Sequence, residues 1–159
     1  MLTDFLLFQV EAPNSQATEI AHTFTKFCNN SPLGLAMYRA ASAIKKPQIY
    51  LYAKLPSHMA IDLVVCLALR AAFSLACGQG VLESHIRVSR LQLALQPDAV
   101  SGGEIPQFHY VVETDTDEGW FNEIARWYDK EHMLGLAAVP GCVSAMRLVN
   151  LDAKNEAGD

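Results

Sequence analysis

Trp127-Tyr128-Asp129-Lys130-Glu131-His132, followed after seven residues by Pro140-Gly141, sets a titratable imidazole near the predicted end of a helix. Upstream, residues 115–118 have the form of a capping box: Asp115 or Thr116 can accept from the first backbone N–H groups, and acidic side chains face the positive end of the helix dipole. Phe121, Ala125, Tyr128 and His132 then recur at helical spacing with Ile124 beside them, which predicts an aromatic and aliphatic stripe ending in the histidine. Pro140-Gly141 is a turn signal, after which residues 142–149 alternate in side-chain direction as a strand does. With a strand expected at 108–112, the order from 108 to 149 is strand, helix, turn, strand.

Trp127, Tyr128, Glu131, His132, Val139, Pro140, Gly141 and Arg147 form a pattern of aromatic helix, Glu-His ending, short loop, Val-Pro-Gly turn and strand. On these residues the chain resembles the EthD-like branch of the dimeric α+β barrel superfamily, over about a third of its length. The resemblance implies ferredoxin-like halves, a homo-oligomer of at least two copies and a cavity on the second face of the sheet. Members with an assigned reaction include cofactor-free monooxygenases, polyketide cyclases and lactone isomerases, so the resemblance narrows fold more than function.

Composition sets the scale. A chain of 159 residues suffices for one ordinary domain or for two small halves sharing a core. An apolar fraction of 51% against 18% charged residues is oily for a globular protein and points to apolar surface covered by a partner. The net charge of −5, with no basic run or stripe, removes the phosphate-neutralising force that nucleic-acid binding needs. Asp4 near the start of an apolar amino terminus, without a preceding positive region, reads as a strand rather than a secretion signal. The cysteines at 28, 66, 77 and 142 lack Cys-x-x-Cys spacing, so reduced thiols in a cytoplasmic protein are expected, with no structural zinc site.

Residues 4–10 read as a strand and 16–28 as a helix entered through Asn14 or Ser15 and stopped by Asn29-Asn30-Ser31-Pro32. Residues 33–41 and 48–54 read as strands joined into a hairpin at Lys45-Lys46-Pro47. Residues 58–77 are the most apolar stretch, long enough to suggest a membrane span, but Asp62 and Arg70 would each cost roughly 2.5 to 3.5 kcal/mol in hydrocarbon. A core helix is the better reading, with Ile61, Val65, Ala68, Ala72 and Leu75 as its buried stripe. Val64, Leu67 and Ala71 widen that stripe beyond what one sheet face covers, which calls for a second helix layer or another subunit. Residues 86–95 form a strand whose alternation changes phase, as a bulge near Ser89 or Arg90 would produce.

The expected architecture is therefore α+β. A ferredoxin-like βαββαβ half covers residues 1–97, a linker 98–106, and a second, incomplete βαβ half 107–150, within a dimeric α+β barrel. A weak internal repeat supports this: Phe5 to Val10 matches Phe108 to Val112, Glu19-Ile20-Ala21 matches Glu123-Ile124-Ala125, and Ala36-Met37-Tyr38-Arg39 matches Ala145-Met146-Arg147. The second copy stops early, leaving a polar tail at 151–159.

His132 is the first candidate for chemistry, because an imidazole switches between acid and base near neutral pH. The bland alternative is that it fastens its own helix end or a loop carbonyl. His109 and Glu113 share one face of the expected strand at 108–112, opposite Phe108, Tyr110 and Val112. That face is either solvent-exposed or turned to a cavity. Trp127 and Tyr128 are candidates for the wall of an apolar pocket, or for ordinary core, and Arg147 for holding a carboxylate or enolate oxygen, or a surface ion pair. No Gly-rich phosphate loop, Gly-x-Ser-x-Gly elbow or His-Glu-x-x-His helix is present, so neither a metal nor a cofactor is indicated. Two functions remain open. One is a cofactor-independent enzyme of isomerase, cyclase or monooxygenase type acting on an apolar, carbonyl-bearing substrate. The other is a non-catalytic ligand-binding or assembly protein of the same fold, and neither reading involves a membrane.

Overall fold

A continuous apolar run at the amino-terminal end, Phe5-Leu6-Leu7-Phe8, forms strand β1, Thr3–Glu11, which sits at the centre of a five-stranded sheet of order β2-β3-β1-β4-β5. The computed structural model describes residues 2–117 and 119–152. A short 3₁₀ turn leads into α1, Ala17–Asn29, and the hairpin strands are β2, Ala36–Ser42, and β3, Gln48–Met59. Helix α2, Leu63–Cys77, and strand β4, Ile86–Leu95, follow. Then come α3, Phe121–Trp127, a π-helical turn at Tyr128–His132, α4, Met133–Ala137, and β5, Arg147–Asn150. The order βαββαβ and the antiparallel pairing of β1 with β3, β1 with β4, and β2 with β3 are compatible with a ferredoxin-like α+β fold. The chain forms two compact units, one of Met1–Gln92 with the segment from Asn150 onward, the other of Leu93–Val149.

In the first unit, Leu6, Phe8 and Val10 project from one face of β1 onto α1 and α2. Phe8 meets Phe24 of α1 at 5.0 Å between ring centroids and Phe73 of α2 at 5.5 Å, both edge to face, and Phe24 meets Phe73 at 5.2 Å. Phe8, Phe24 and Phe73 are fully buried. Such pairs contribute about 0.5–1.5 kcal/mol each beyond the area they hide. The opposite face of the sheet is buried as well, at Phe5, Leu7, Tyr50, Tyr52 and Leu91.

A charged latch fixes the end of the described chain in the same unit. Arg90 donates from Nε to Asp152 Oδ1 at 2.7 Å, from its backbone N–H to Oδ2 at 2.8 Å, and from Nη1 to the Ile61 carbonyl at 2.8 Å. Leu151, only 2% exposed, donates its backbone N–H to the Arg90 carbonyl. The first two residues of the expected polar tail are thus built into the sheet region, and residues 153–159 lie outside the described residues.

Several expectations are corrected. In α2 the buried residues are Cys66, Leu69 and Phe73, not the stripe through Val65, Ala68, Ala72 and Leu75. Leu75 is 84% exposed, because Phe73 fills the aromatic cluster and sets the rotation of the helix. Residues 58 and 59 belong to β3, and α2 begins after Asp62, whose carboxylate accepts from the Val65 N–H at 2.8 Å. The pairing of β4 with β1 runs without interruption from Ile86 to Leu91, so no bulge lies at Ser89 or Arg90 there. The change of phase reflects burial on both faces, with Ser89 and Leu91 buried on one and Ile86 on the other. Register shifts fall instead between Thr3 and Phe5 and between Met37 and Arg39.

The expected strand at 108–112 does not form: residues 107–117 have no regular secondary structure, and Phe108 and Tyr110 are 80% and 83% exposed. A strand needs a ladder partner, and among the described residues no strand pairs with 107–117. The expected strand at 142–149 is shorter, Arg147–Asn150.

Truncating Phe73 to Ala should lower unfolding free energy by about 3–5 kcal/mol, against less than about 0.5 kcal/mol for Ile44→Ala in the hairpin turn. Denaturant midpoints of the two variants check the pair.

Candidate functional site

Trp127, Tyr128 and His132 come together because the helix widens for one turn. The Met133 N–H donates to the Tyr128 carbonyl five residues back, forming a π turn between α3 and α4. In an ordinary α-helix residues 127 and 132 point in different directions, but the wider turn aligns them. The imidazole of His132 stacks on the indole of Trp127, with centroids 4.8 Å apart and planes 23° apart. Tyr128 meets both rings edge to face at 5.0 Å. Trp127 is 46% exposed, while Tyr128 and His132 are half-buried, so the cluster opens to one side.

His132 therefore does not end its helix, as the Glu-His pattern suggested; the chain stays helical to Ala137 and turns after Pro140. Gly141 has φ +86°, and the Cys142 N–H donates to the Val139 carbonyl at 2.9 Å, the geometry that favours glycine third in a type II turn. The helix also starts later than the capping box proposed. Its N-cap is Trp120, without a side-chain cap, and the Trp120 N–H donates to the Asp117 carbonyl. Asp115 and Thr116 lie in the irregular segment, and Glu118 is outside the described residues. The side chains that bury this helix are Met133 and Ala137, rather than the stripe of Phe121 to His132.

Arg147 clamps the π turn from β5. Its Nε and Nη2 donate to Asp129 Oδ1 and Oδ2 at 2.6 Å and 2.8 Å, a bidentate pair with side chains 18% and 35% exposed. Asp129 is thus a functional residue that the sequence pattern did not single out. Its position two residues after Trp127 carried no signal of a partner in a later strand. His109 is half-buried in the irregular segment at 107–117 and makes interactions of its own, as does Glu113.

Residues 98–106 are pinned rather than free-running. Val100 and Ser101 donate backbone N–H groups to the carbonyls of Ala137 and Cys142, and the Gly141 N–H donates to Ser101 Oγ. A cavity of about 430 Å³ lies there, lined by Pro97, Asp98, Gly102, Val143 and neighbours. A second, of about 720 Å³, lies between α1 and α2, and neither is lined by the ring cluster. Among the described residues no group of three or more His, Cys, Asp or Glu side chains is arranged to hold a metal.

The thiols of Cys28, Cys66 and Cys77 are poor nucleophiles. Burial pushes Cys28 up to about 12, and burial, reinforced by Asp152 and Asp62, pushes Cys66 up to about 11. Cys77 rises to about 11 through burial and the nearby Glu19 carboxylate. A thiol whose folded pKa is raised keeps its proton where the unfolded chain has lost it, so stability falls as pH rises from about 9 toward 11 and 12.

Timed alkylation at neutral pH, read by intact mass, should modify Cys28, Cys66 and Cys77 far more slowly than the unfolded protein's thiols. Asp129→Ala should lower stability by about 1 kcal/mol, reduced from the buried-pair value by partial exposure, and the loss should shrink in high salt.

No protein-family model matches the chain, and no curated protein or solved structure matches it.

Proposed function

We propose that this chain is a protein of the EthD-like, dimeric α+β barrel kind, working as a homodimer, that binds an apolar, carbonyl-bearing small molecule at Trp127 and Tyr128. His132 is its acid or base. The observation that carries this reading is the π turn that stacks His132 on Trp127. Stacking holds the imidazole by its face, and its nitrogens, at the ring's rim, can exchange a proton with a ligand lying on the same aromatic surface.

Removing a proton beside a carbonyl and returning it elsewhere needs one group able to change charge near neutral pH. Isomerisation and cyclisation are therefore the reaction types that these side chains support best; oxygenation would require dioxygen as co-reactant. Arg147 serves this site through Asp129, which it fixes at the first turn of the π segment, so it is a positioning residue. His109 is the further candidate for contact with the ligand.

A non-catalytic ligand-binding protein is the second reading, favoured by the commitment of Arg147 to Asp129, which leaves no oxyanion partner assigned. Deuterium exchange separates the two. Incubated in D₂O with a panel of aromatic ketones and unsaturated lactones, the protein should speed exchange of the hydrogens beside the carbonyl of at least one compound. His132→Ala should slow that exchange by about 10²–10⁴-fold while the compound still raises the melting temperature. Binding with equal exchange in both proteins would leave only the non-catalytic reading.

A further inference from the structure

Strand β2 carries an extra residue against β3. Met37 faces Ala53 and Arg39 faces Tyr52, so Tyr38 is the unpaired residue of a bulge. In a regular strand successive side chains point to opposite faces of the sheet. Here Met37 and Ala40 pack against the core beneath the helices, while Tyr38 and Arg39 both turn to the other face. The Tyr38 ring meets Phe5 edge to face at 5.3 Å, and Arg39 Cζ stands 5.7 Å from the centre of the Tyr38 ring. Without the extra residue, Arg39 would point into the core.

The guanidinium placed in this way has no counter-ion. Arg70, Arg90 and Arg147 are each met by a carboxylate, and Arg87 and Arg126 are exposed to water. Arg39 is half-buried, and among the described residues no carboxylate pairs with it. Cation–π contact with Tyr38 offsets part of the lost hydration at the guanidinium face but leaves the N–H donors at its edge. Lys54, opposite Ala36 and on the same face as Tyr52, adds a second cation, and neither β2 nor β3 contains an Asp or Glu. In a chain of net charge −5, this corner of the sheet is locally positive.

We infer that Tyr38 and Arg39 at the β2 bulge form a binding site for an aryl carboxylate, whose carboxylate takes the Arg39 fork and whose ring packs beside Tyr38. The site lies within the first unit and is independent of the chemistry at His132. Two parallel N–H groups of a guanidinium match the two oxygens of a carboxylate, which gives the pair direction as well as charge. Phe5, only 3% exposed, holds the Tyr38 ring from the sheet side. Ala36 and Ala41, the other β2 residues on this face, put no bulk beside the pair. Phosphate is the poorer fit, because its sites gather several backbone N–H groups at a helix start or a glycine-rich loop, and β2 supplies neither.

Titration of the full chain with naphthoate, followed through the arginine Nε–H cross-peaks of its NMR spectrum, tests this. The Arg39 cross-peak should shift to saturation with one ligand per chain, and naphthamide, alike in shape but uncharged, should bind at least about tenfold more weakly. Arg39→Gln should weaken naphthoate binding by about 10- to 100-fold without lowering the denaturant midpoint, since it removes no ion pair. Should that variant fail to fold, Arg39→Lys decides: it keeps the charge, loses the fork and should bind about tenfold more weakly. His132→Ala should leave the affinity unchanged, which separates this site from the one proposed at Trp127 and Tyr128. No saturable shift at Arg39, equal affinity for acid and amide, or unchanged affinity in the arginine variants would overturn the inference. Phenyl phosphate binding more tightly than naphthoate would overturn the carboxylate assignment.

Discussion

Phe73 reaches from α2 into the rings of Phe8, Phe24 and Phe27, and this insertion fixes the rotation of a helix that is otherwise apolar nearly all round. A helix with one oily face has its orientation dictated by the contrast between that face and water. In α2 the contrast is weak, since every turn offers Leu, Val or Ala on several sides, and what chooses among them is shape. A phenylalanine ring placed edge to face against two others gains more than a leucine in the same space. Once Phe73 is inside, Cys66 and Leu69 follow it, and Val64, Leu67 and Leu75 are turned outward. The apolar outer surface is thus a consequence of the core.

The Arg90–Asp152 latch ties this layer to the end of the described chain. A guanidinium only 14% exposed would be costly alone, but here it is met by the Asp152 carboxylate and by the Ile61 carbonyl just before α2. That carbonyl joins the helix entry to β4, while Asp62 caps the first turn. The Asp129–Arg147 pair does the equivalent for the ring cluster, joining the π turn to β5. In both places an Arg–carboxylate pair links residues distant in sequence, where apolar packing alone would leave register unspecified.

The parts legible in the sequence were those with local causes. Strands β1, β3 and β4, helix α1, the hairpin at Lys45-Lys46-Pro47 and the Pro140-Gly141 turn follow from short apolar runs, alternation in β3, Asn-Ser-Pro stops and the Pro-Gly turn signal. The order βαββαβ could be read from them. The rotation of α2 could not, because its periodicity is nearly uniform and the deciding contact is with Phe8 and Phe24 on other elements. Residues 108–112 alternate like a strand, yet alternation provides only a face and not a neighbour to pair with. At the site, Trp127, Tyr128 and His132 were legible as candidates. Their meeting was not, because a π turn has no local sequence signature, and Asp129 became visible only with Arg147 across from it.

The rotation of α2 is the claim on which both the layering and the exposed apolar ridge depend. Through-space contacts between assigned ring protons in the NMR spectrum of the protein test it most directly. Cross-peaks from the Phe73 ring to the rings of Phe8 and Phe24, with none from Leu75 methyls to Phe8, are the predicted result. Leu75 methyls in contact with Phe8, and a Phe73 ring free of both partners, would contradict it.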